Sequence, residues 1–354
     1  MKIAPLVRAL EPHRDRISYR LIHTGQHFDR EMSAVFFEEL GIPPPHASLG
    51  CGGGSHAEQT AKVMVALEAE LLSNPADAVL VVGDVNSTLA GAIVAKKLQL
   101  ELIHVEAGLR SGDRAMPEEI NRLATDAITD LFFVTEPSGE EALLKEGHAP
   151  ERIHFVGNVM IDNLFYQLEQ LRSGAHVPAF EELRRELQGR PYGVVTLHRP
   201  SNVDVEPTLR GLVGALRTIA RDLPLVFPMH PRTRMRCEAA GIDLGPDIRV
   251  VPPLSYMDFL SFWKDAQLVL TDSGGLQEET TALGVRCVTL RDSTERPVTL
   301  TEGTNVLAGS DPDRILACVA ESLASEPSPK RPRFWDGRAA ERIAAVLVEK
   351  CQIG

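Results

Sequence analysis

The sequence lacks the features of a membrane or exported protein. It contains no run of about 18 apolar residues, the length that a bilayer-spanning helix needs. The N-terminus, Met1-Lys-Ile-Ala-Pro5, has neither the long apolar core nor the small-residue cleavage site of a signal peptide. We therefore expect a cytoplasmic protein without a membrane partner.

Positive charge and cysteine are also scarce. The chain has 37 Lys and Arg residues against 49 Asp and Glu, a net charge of -12 that argues against nucleic acid as a partner. Its five cysteines are scattered without metal-ligand spacing, so we expect reduced thiols and no metal site. Walker, HExxH and GxSxG motifs are missing too. A phosphorylated ligand stays possible, because a helix N-terminus and a few local cations can bind one.

Short aliphatic runs alternate with longer amphipathic segments. The strand-like runs form two series: Ala78–Val82, Glu101–Val105, Leu131–Val134 and Ile153–Val156, then Tyr192–Thr196, Leu223–Phe227, Ile248–Val251, Leu268–Leu270 and Arg286–Leu290. Such alternation is typical of parallel α/β sheets. Over 354 residues it predicts an α/β protein with two Rossmann-like domains.

The candidate boundaries are two polar segments. Gln167–Arg190 is charged and helical, and Ser325–Pro332 is rich in proline and charge; an amphipathic helix, Ala339–Val348, follows. The chain opens almost directly on a predicted helix, Ala4–Leu10, so the first strand of the first domain is expected to be missing.

Ligands of open α/β sheets bind beyond the carboxyl ends of the strands. In the second half, Thr271-Asp-Ser-Gly-Gly275 follows a strand-like run and precedes a helix. Ser273, Gly274 and Gly275 should lie at the helix N-terminus, where bare N–H groups favour an anion such as a diphosphate. Glu278 and Glu279 lie on the next turn, and either carboxylate is a candidate ligand for ribose hydroxyls.

Other polar residues also follow strand-like runs. They are His198, His230 and Arg296 in the second half, and Gln26, His27, Asp84 and Glu106 in the first. Glu118 and Arg122 are four residues apart and should share a helix face. Carboxylates that converge on one cleft would raise one another's pKa, as acid/base chemistry requires. Alternatively, each charged residue is a helix cap or a surface ion pair, Arg296 with Glu295 for example.

Taken together, these segments resemble the non-hydrolysing UDP-N-acetylglucosamine 2-epimerase family. The matching segments are Lys2–Pro5, Thr24–His27, Gly83–Thr88, His104–Arg110, Pro117–Arg122, His198-Arg199, Thr271–Glu279 and Arg291–Pro297. Each is short, but the set occurs in family order and spans nearly the whole chain.

The resemblance implies a glycosyltransferase-B-like fold with a ligand cleft between two domains. Residues 1–166 with 335–354 would form the first domain, on which the C-terminal helix packs, and residues 167–334 the second. The implied reaction is reversible inversion at carbon 2 of UDP-GlcNAc to UDP-ManNAc, through loss of the carbon-2 proton and UDP to 2-acetamidoglucal, then re-addition. The resemblance also implies a homodimer and a reaction that needs no cofactor.

The resemblance also implies roles for individual residues. The expected catalytic residues are Lys2, Asp84, Glu106, Glu118, Arg122 and His198. The expected UDP-sugar ligands are Gln26, His27, His230, Ser273, Gly274, Gly275, Glu279 and Arg296.

One family feature is absent, and other functions stay open. Family members usually begin with a strand followed by Gly-Thr-Arg-Pro-Glu, and this chain has neither. A 2-epimerase of a related sugar, such as UDP-2,3-diacetamido-glucuronic acid, is one alternative. A catalytically impaired UDP-sugar-binding protein is another. A hydrolysing epimerase and a glycosyltransferase are further alternatives.

Overall fold

The chain divides into two compact α/β units. The computed structural model describes residues 1–25, 37, 40–174, 180–326 and 331–351. Unit 1 comprises Met1–Phe165 with Arg333–Gly354, and unit 2 comprises Tyr166–Pro332. Each unit has a parallel sheet of its own, which confirms the predicted α/β class. Among the described residues, no helix is long and apolar enough to cross a membrane.

The strands follow the aliphatic runs of the sequence. They are β1 Ile22–His23, β2 Ala47–Ser48, β3 Ala78–Val82, β4 Glu101–Ala107, β5 Leu131–Val134, β6 Ile153–Phe155, β7 Gly193–Thr196, β8 Leu225–Pro228, β9 Ile248–Val251, β10 Leu268–Thr271, β11 Cys287–Thr289 and β12 Asn305–Leu307. Unit 1 has a four-stranded sheet of order β3-β4-β5-β6 and a separate β1-β2 pair. Unit 2 has a six-stranded sheet of order β12-β11-β10-β7-β8-β9. From β7 the chain adds β8 and β9 on one side and then β10, β11 and β12 on the other, so the gap between β7 and β10 is the switch point at which open sheets bind ligands.

Helices connect the strands and cover the sheets. They are α1 Ile3–Leu10, α2 His56–Ser73, α3 Asn86–Lys97, α4 Pro117–Ile128, α5 Pro137–Lys145, α6 Val159–Arg172, α7 Glu181–Leu187, α8 Pro200–Val203, α9 Glu206–Ala220, α10 Pro231–Ala239, α11 Tyr256–Trp263, α12 Gly274–Leu283, α13 Val298–Thr301, α14 Pro312–Ala324 and α15 Ala339–Lys350. Local signals define several ends. Ser55 and Glu58 form a capping box at the start of α2, and Gly284 ends α12 in a left-handed conformation.

The structure adds detail that the sequence pattern does not give. The short strands β2 and β12 were not predicted, because two or three residues carry too little alternation to be recognised. The aliphatic segment ahead of Thr24 forms only the two-residue strand β1, Ile22–His23. The charged segment Gln167–Arg190 contains the end of α6 and the whole of α7. Ahead of β1, the described residues form α1 and a short 3-10 turn.

The last helix of the chain completes the core of unit 1. Leu6 and Leu10 of α1 share one buried cluster with Ile343 and Leu347 of α15. Asp162 of α6 caps α15, because its carboxylate accepts the N–H groups of Ala339 and Ala340 at 3.0 and 2.7 Å. Burial raises the pKa of Asp162 to about 6, although these hydrogen bonds oppose the shift.

A glycine beside this junction gives a test of the packing. Gly157 has a φ of +92°, and a Cβ there would lie 2.1 Å from the carbonyl oxygen of Phe334. We predict that Gly157→Ala lowers the free energy of unfolding by about 3 kcal/mol or more, from backbone strain and overpacking. Gly147 has the same φ of +92° but open space around it, so it is the matched control. Gly147→Ala should cost only about 1–2 kcal/mol. If urea denaturation shows that both variants lose the same free energy of unfolding, the packing argument is contradicted.

Candidate functional site

In unit 1, the chain is distorted at Glu106. The pairing of β4 with β5 shifts register between Val105 and Ala107, which is a β-bulge. Glu106, the bulged residue, has a φ of +74°, a conformation that is strained for any residue except glycine. Its side chain is buried, and its carboxylate forms an ion pair with Lys2. A bulge that redirects a charged side chain is common beside active sites.

Asp84 follows β3, the neighbour of β4 in the sheet, and is held by a buried arginine. The Arg122 guanidinium donates to Asp84 and, through Nε, to Glu119 at 2.9 Å. Glu119 also accepts the N–H groups of Ser111 and Gly112, each at 3.0 Å. Burial raises the pKa of Glu119, but these donors outweigh burial and the net shift is downward. The described contacts thus give Asp84 a cation as its partner.

Glu118 and Arg122 both lie on α4, as expected, but among the described residues the helix partner of Arg122 is Glu119. Arg122 contacts Glu119, three residues before it, while Glu118 is partly exposed. Within the described part of the chain, Glu118 has no ion pair or hydrogen bond. Glu119 was missed, and the signal for it was its place on the same face of α4 as Arg122. Gln26 and His27 lie outside the described residues.

Two further buried groups of unit 1 were missed. His104 of β4 is fully buried, with Nδ1 2.6 Å from Oδ1 of Asp126 and Nε2 2.9 Å from the carbonyl oxygen of Gly83. Asp126 of α4 also accepts the Gly108 N–H at 3.0 Å and lies 2.7 Å from the Arg110 guanidinium. A histidine inside an aliphatic strand was the only signal in the sequence.

In unit 2, helix α12 begins at Gly274, with Ser273 as its N-cap. The Ser273 side chain makes no capping hydrogen bond, so the N–H groups of the first turn keep their capacity to bind an anion. A Cβ on Gly274 would lie 2.8 Å from Oε1 of Glu295, which explains why glycine occupies this position. Gly275 continues the first turn.

Asp272, just before that helix, holds His198 in place. Its carboxylate accepts the N–H groups of His198 and Arg199, at 3.0 and 2.9 Å, and lies 2.7 Å from His198 Nδ1. Burial raises the pKa of Asp272, but its contacts with His198 and Arg199 reverse the shift, and the net direction is downward. An ionised Asp272 orients the imidazole with Nε2 away from the carboxylate. Because β7 and β10 flank the switch point, His198 and Ser273 lie on neighbouring turns. The sequence analysis gave Asp272 no role.

His230 follows β8 and is exposed. It caps α10, and its Nδ1 accepts the Arg232 N–H at 3.2 Å. This contact leaves Nε2 to act as the donor of a neutral ring. The three residues Ser273, His198 and His230 therefore follow three adjacent strands, β10, β7 and β8.

Arg296 lies in a buried ion cluster. Its guanidinium is 2.8 Å from Glu278 and 3.0 Å from Glu295, and Arg291 lies 2.9 Å from Glu295. Although burial opposes the shift, Arg296 and Arg291 lower the pKa of Glu295 to about 2. The suggested pairing with Glu295 is therefore present, and Glu278 is an additional partner that the sequence did not reveal.

Glu279 is a buried carboxyl that accepts a hydrogen bond from a tyrosine. Tyr256 of α11 donates to its Oε1 at 2.7 Å. Burial raises the pKa of Glu279 to about 8; Tyr256 opposes the shift and Glu278 adds to it. Without a ligand, this carboxyl is therefore protonated at neutral pH, which distinguishes it from the ion-paired Glu278 next to it.

We predict a pH-dependent stability that arises from Glu279. Its folded pKa of about 8 lies above that of an unfolded chain, so its contribution is fully present below about pH 4.5 and is lost as pH rises through 8. Glu279→Gln should reduce the fall in unfolding free energy between pH 5 and 8 by on the order of 3 kcal/mol. Urea denaturation at pH 5 and pH 8 measures this change in the free energy of unfolding, and Glu302→Gln, at an exposed residue, is the control. If Glu279→Gln loses as much unfolding free energy between the two pH values as the unmodified chain, the prediction is refuted.

The chain is similar to characterised proteins over nearly its whole length. A family model for UDP-N-acetylglucosamine 2-epimerase matches residues 8–348. The UDP-N-acetylglucosamine 2-epimerase of Methanocaldococcus jannaschii is 40% identical over 353 residues, which cover 98% of this chain and 95% of that protein. The UDP-2,3-diacetamido-2,3-dideoxy-D-glucuronate 2-epimerase of Pseudomonas aeruginosa is 38% identical over 336 residues, 94% of this chain and 92% of that protein.

Structural comparison gives the same result. The crystal structure of the Methanocaldococcus jannaschii UDP-GlcNAc 2-epimerase in complex with UDP-GlcNAc and UDP matches this chain with a TM-score of 0.85 at 38% identity. The match covers 98% of this chain and 96% of that one, and it confirms the expected glycosyltransferase-B-like fold. Sequence and structure together show that the chain belongs to the UDP-N-acetylglucosamine 2-epimerase family.

Proposed function

We propose that this chain is an isomerase that interconverts UDP-N-acetylglucosamine and UDP-N-acetylmannosamine by inversion at carbon 2. The observation that carries the proposal is the distribution of charge between the units. Unit 2 presents donors at its switch point, the helix α12 N-terminus and His198, which suit a diphosphate. Unit 1 presents the carboxylates Asp84 and Glu106, each held by a cation. The likeness to an enzyme crystallised with UDP-GlcNAc and UDP supports the same substrate.

The proposed reaction has two stages. A carboxylate takes the proton from carbon 2, the bond between carbon 1 and the UDP oxygen breaks, and UDP leaves with the bonding electrons, so that 2-acetamidoglucal forms. Protonation of carbon 2 from the opposite face and re-addition of UDP to carbon 1 give the epimer. Backbone N–H groups of Gly274 and Gly275 and the His198 imidazole would stabilise the leaving diphosphate.

The remaining site assignments are proposals of the same kind. Glu118, Arg122 and Lys2 are proposed to assist the acid/base step. Substrate contacts are proposed for Ser273, Glu279, Arg296, His230, Gln26 and His27. The homodimer and the cytoplasmic location expected from the sequence also stay predictions.

Incubation with UDP-GlcNAc in D2O tests the reaction. The expected result is UDP-ManNAc and deuterium at carbon 2 of both epimers, because the proton removed exchanges with solvent before it returns. Mass spectrometry and proton NMR follow both changes. Binding of UDP without deuterium incorporation would show a catalytically impaired UDP-sugar-binding protein. Free N-acetylmannosamine in stoichiometric amounts would show a hydrolysing enzyme.

A second substrate deserves the same assay, because a relative acting on UDP-2,3-diacetamido-2,3-dideoxy-D-glucuronate is 38% identical. We expect kcat/KM to be higher for UDP-GlcNAc. A higher kcat/KM for the diacetamido sugar would reassign the substrate while leaving the reaction unchanged.

Glu106 gives the sharpest test of the acid/base group. We predict that Glu106→Gln lowers kcat by about 10²- to 10⁴-fold, the contribution expected of a positioned acid or base. Glu101 is the matched control, because it also lies on β4 and pairs with a lysine, Lys350. Glu101→Gln should leave kcat within about twofold, since it lies at the opposite end of the strand. If both variants lose kcat equally, the effect comes from a less stable strand β4 and not from the loss of an acid/base group.

A further inference from the structure

A buried histidine connects the segments that carry the two carboxylates of unit 1. His104 lies on β4, two residues before Glu106, and its ring contacts the carbonyl oxygen of Gly83. Gly83 immediately precedes Asp84 in the chain. On its other side the ring contacts Asp126 of helix α4, the helix that also carries Arg122. Movement of this ring would therefore affect both carboxylates.

The hydrogen bonds of the ring indicate its charge. Both nitrogens face acceptors, at 2.6 Å from Asp126 and 2.9 Å from Gly83, whereas a neutral imidazole has only one N–H to donate. Asp126 is in turn surrounded by donors, the Gly108 N–H and the Arg110 guanidinium, which favour its ionised form. The contacts are all satisfied when His104 carries two ring protons and Asp126 carries none.

Two carboxylates act on His104, Asp126 from α4 and Glu106 from β4 itself. Arg110, from the loop that follows β4, contacts Asp126. Lys2 is the partner of Glu106. Burial lowers the pKa of His104, but Asp126 outweighs burial, with smaller contributions from Gly83 and Glu106, so the net direction is upward.

We propose that His104, held as an imidazolium by Asp126, is a positioning residue for the acid/base carboxylates Asp84 and Glu106. Its bond to Gly83 fixes the turn before Asp84. Its positive charge favours the ionised form of Glu106. The kinetic part of this proposal rests on the proposed epimerase function, whereas the charge state of the ring does not.

The charge state is measured on the unmodified protein. In a chain labelled with 15N-histidine, the His104 ring should keep both N–H protons from pH 6 to 9 and show imidazolium nitrogen shifts throughout. Buried N–H protons exchange slowly with water, which identifies the ring. Loss of the carboxylate in Asp126→Asn should return the ring to the neutral form at pH 7.5. A wild-type ring that is neutral at pH 7 would overturn the proposal.

Kinetics then test positioning. We expect His104→Gln to lower kcat by about 10- to 100-fold and to leave KM for UDP-GlcNAc within about threefold. The reason is that the carboxylates of Asp84 and Glu106 would shift relative to the reacting atoms. In the pH profile of kcat, the acidic limb should move up by about one pH unit, because the variant lacks the His104 imidazolium that favoured the ionised form of Glu106. Loss of packing alone would not move that limb.

His154→Gln is the matched control. His154 is half-buried on β6 of the same sheet, beside Phe133. This variant should keep both kcat and the acidic limb. If the chain proves not to be an epimerase, the NMR measurement still decides the charge state. If epimerisation is observed and His104→Gln leaves the acidic limb in place, the positioning role is wrong and the proposed function stands.

Discussion

A carboxylate that has been removed from water must be surrounded by donors, and in this chain the donors come from several segments at once. Asp272, Asp126 and Glu119 each accept at least one backbone N–H group and also contact a basic side chain, His198, Arg110 and Arg122 respectively. An uncompensated buried charge is very costly, so these segments must stay together for the fold to persist. The turns that carry His198 and Asp84 are therefore held by hydrogen bonds and ion pairs although they lie outside helices and strands.

The same constraint explains why strain can persist at Glu106. A non-glycine residue in the left-handed region costs about 1–2 kcal/mol, and the surrounding structure must supply that energy. Here β4 is paired on both sides, and Lys2 meets the carboxylate. The carboxylate is presented by the backbone of a central strand, which is better fixed than a loop residue would be.

The sequence predicts the positions of strands and turns well, but not the partners of side chains. β3 and β5 match the predicted runs, because fully apolar segments bounded by polar residues have few alternatives. The helix start at Gly274 follows from a strand, a polar turn and glycine in succession. Glu118 and Glu119 differ by one helical step of about 100°, and only packing decides which of them meets Arg122. His104 could not be assigned, because its acceptor on α4 is remote in the sequence.

Unit 1 is assembled from both ends of the chain, while unit 2 is one continuous segment. Helix α1 and helix α15 share a core cluster, so that core stays incomplete until the last helix is available. On the ribosome, unit 2 is synthesised in full before α15 emerges. Its core can close during translation, whereas the first half of the chain must wait with the apolar face of α1 uncovered. Closure of the unit 2 core can therefore precede completion of the unit 1 core.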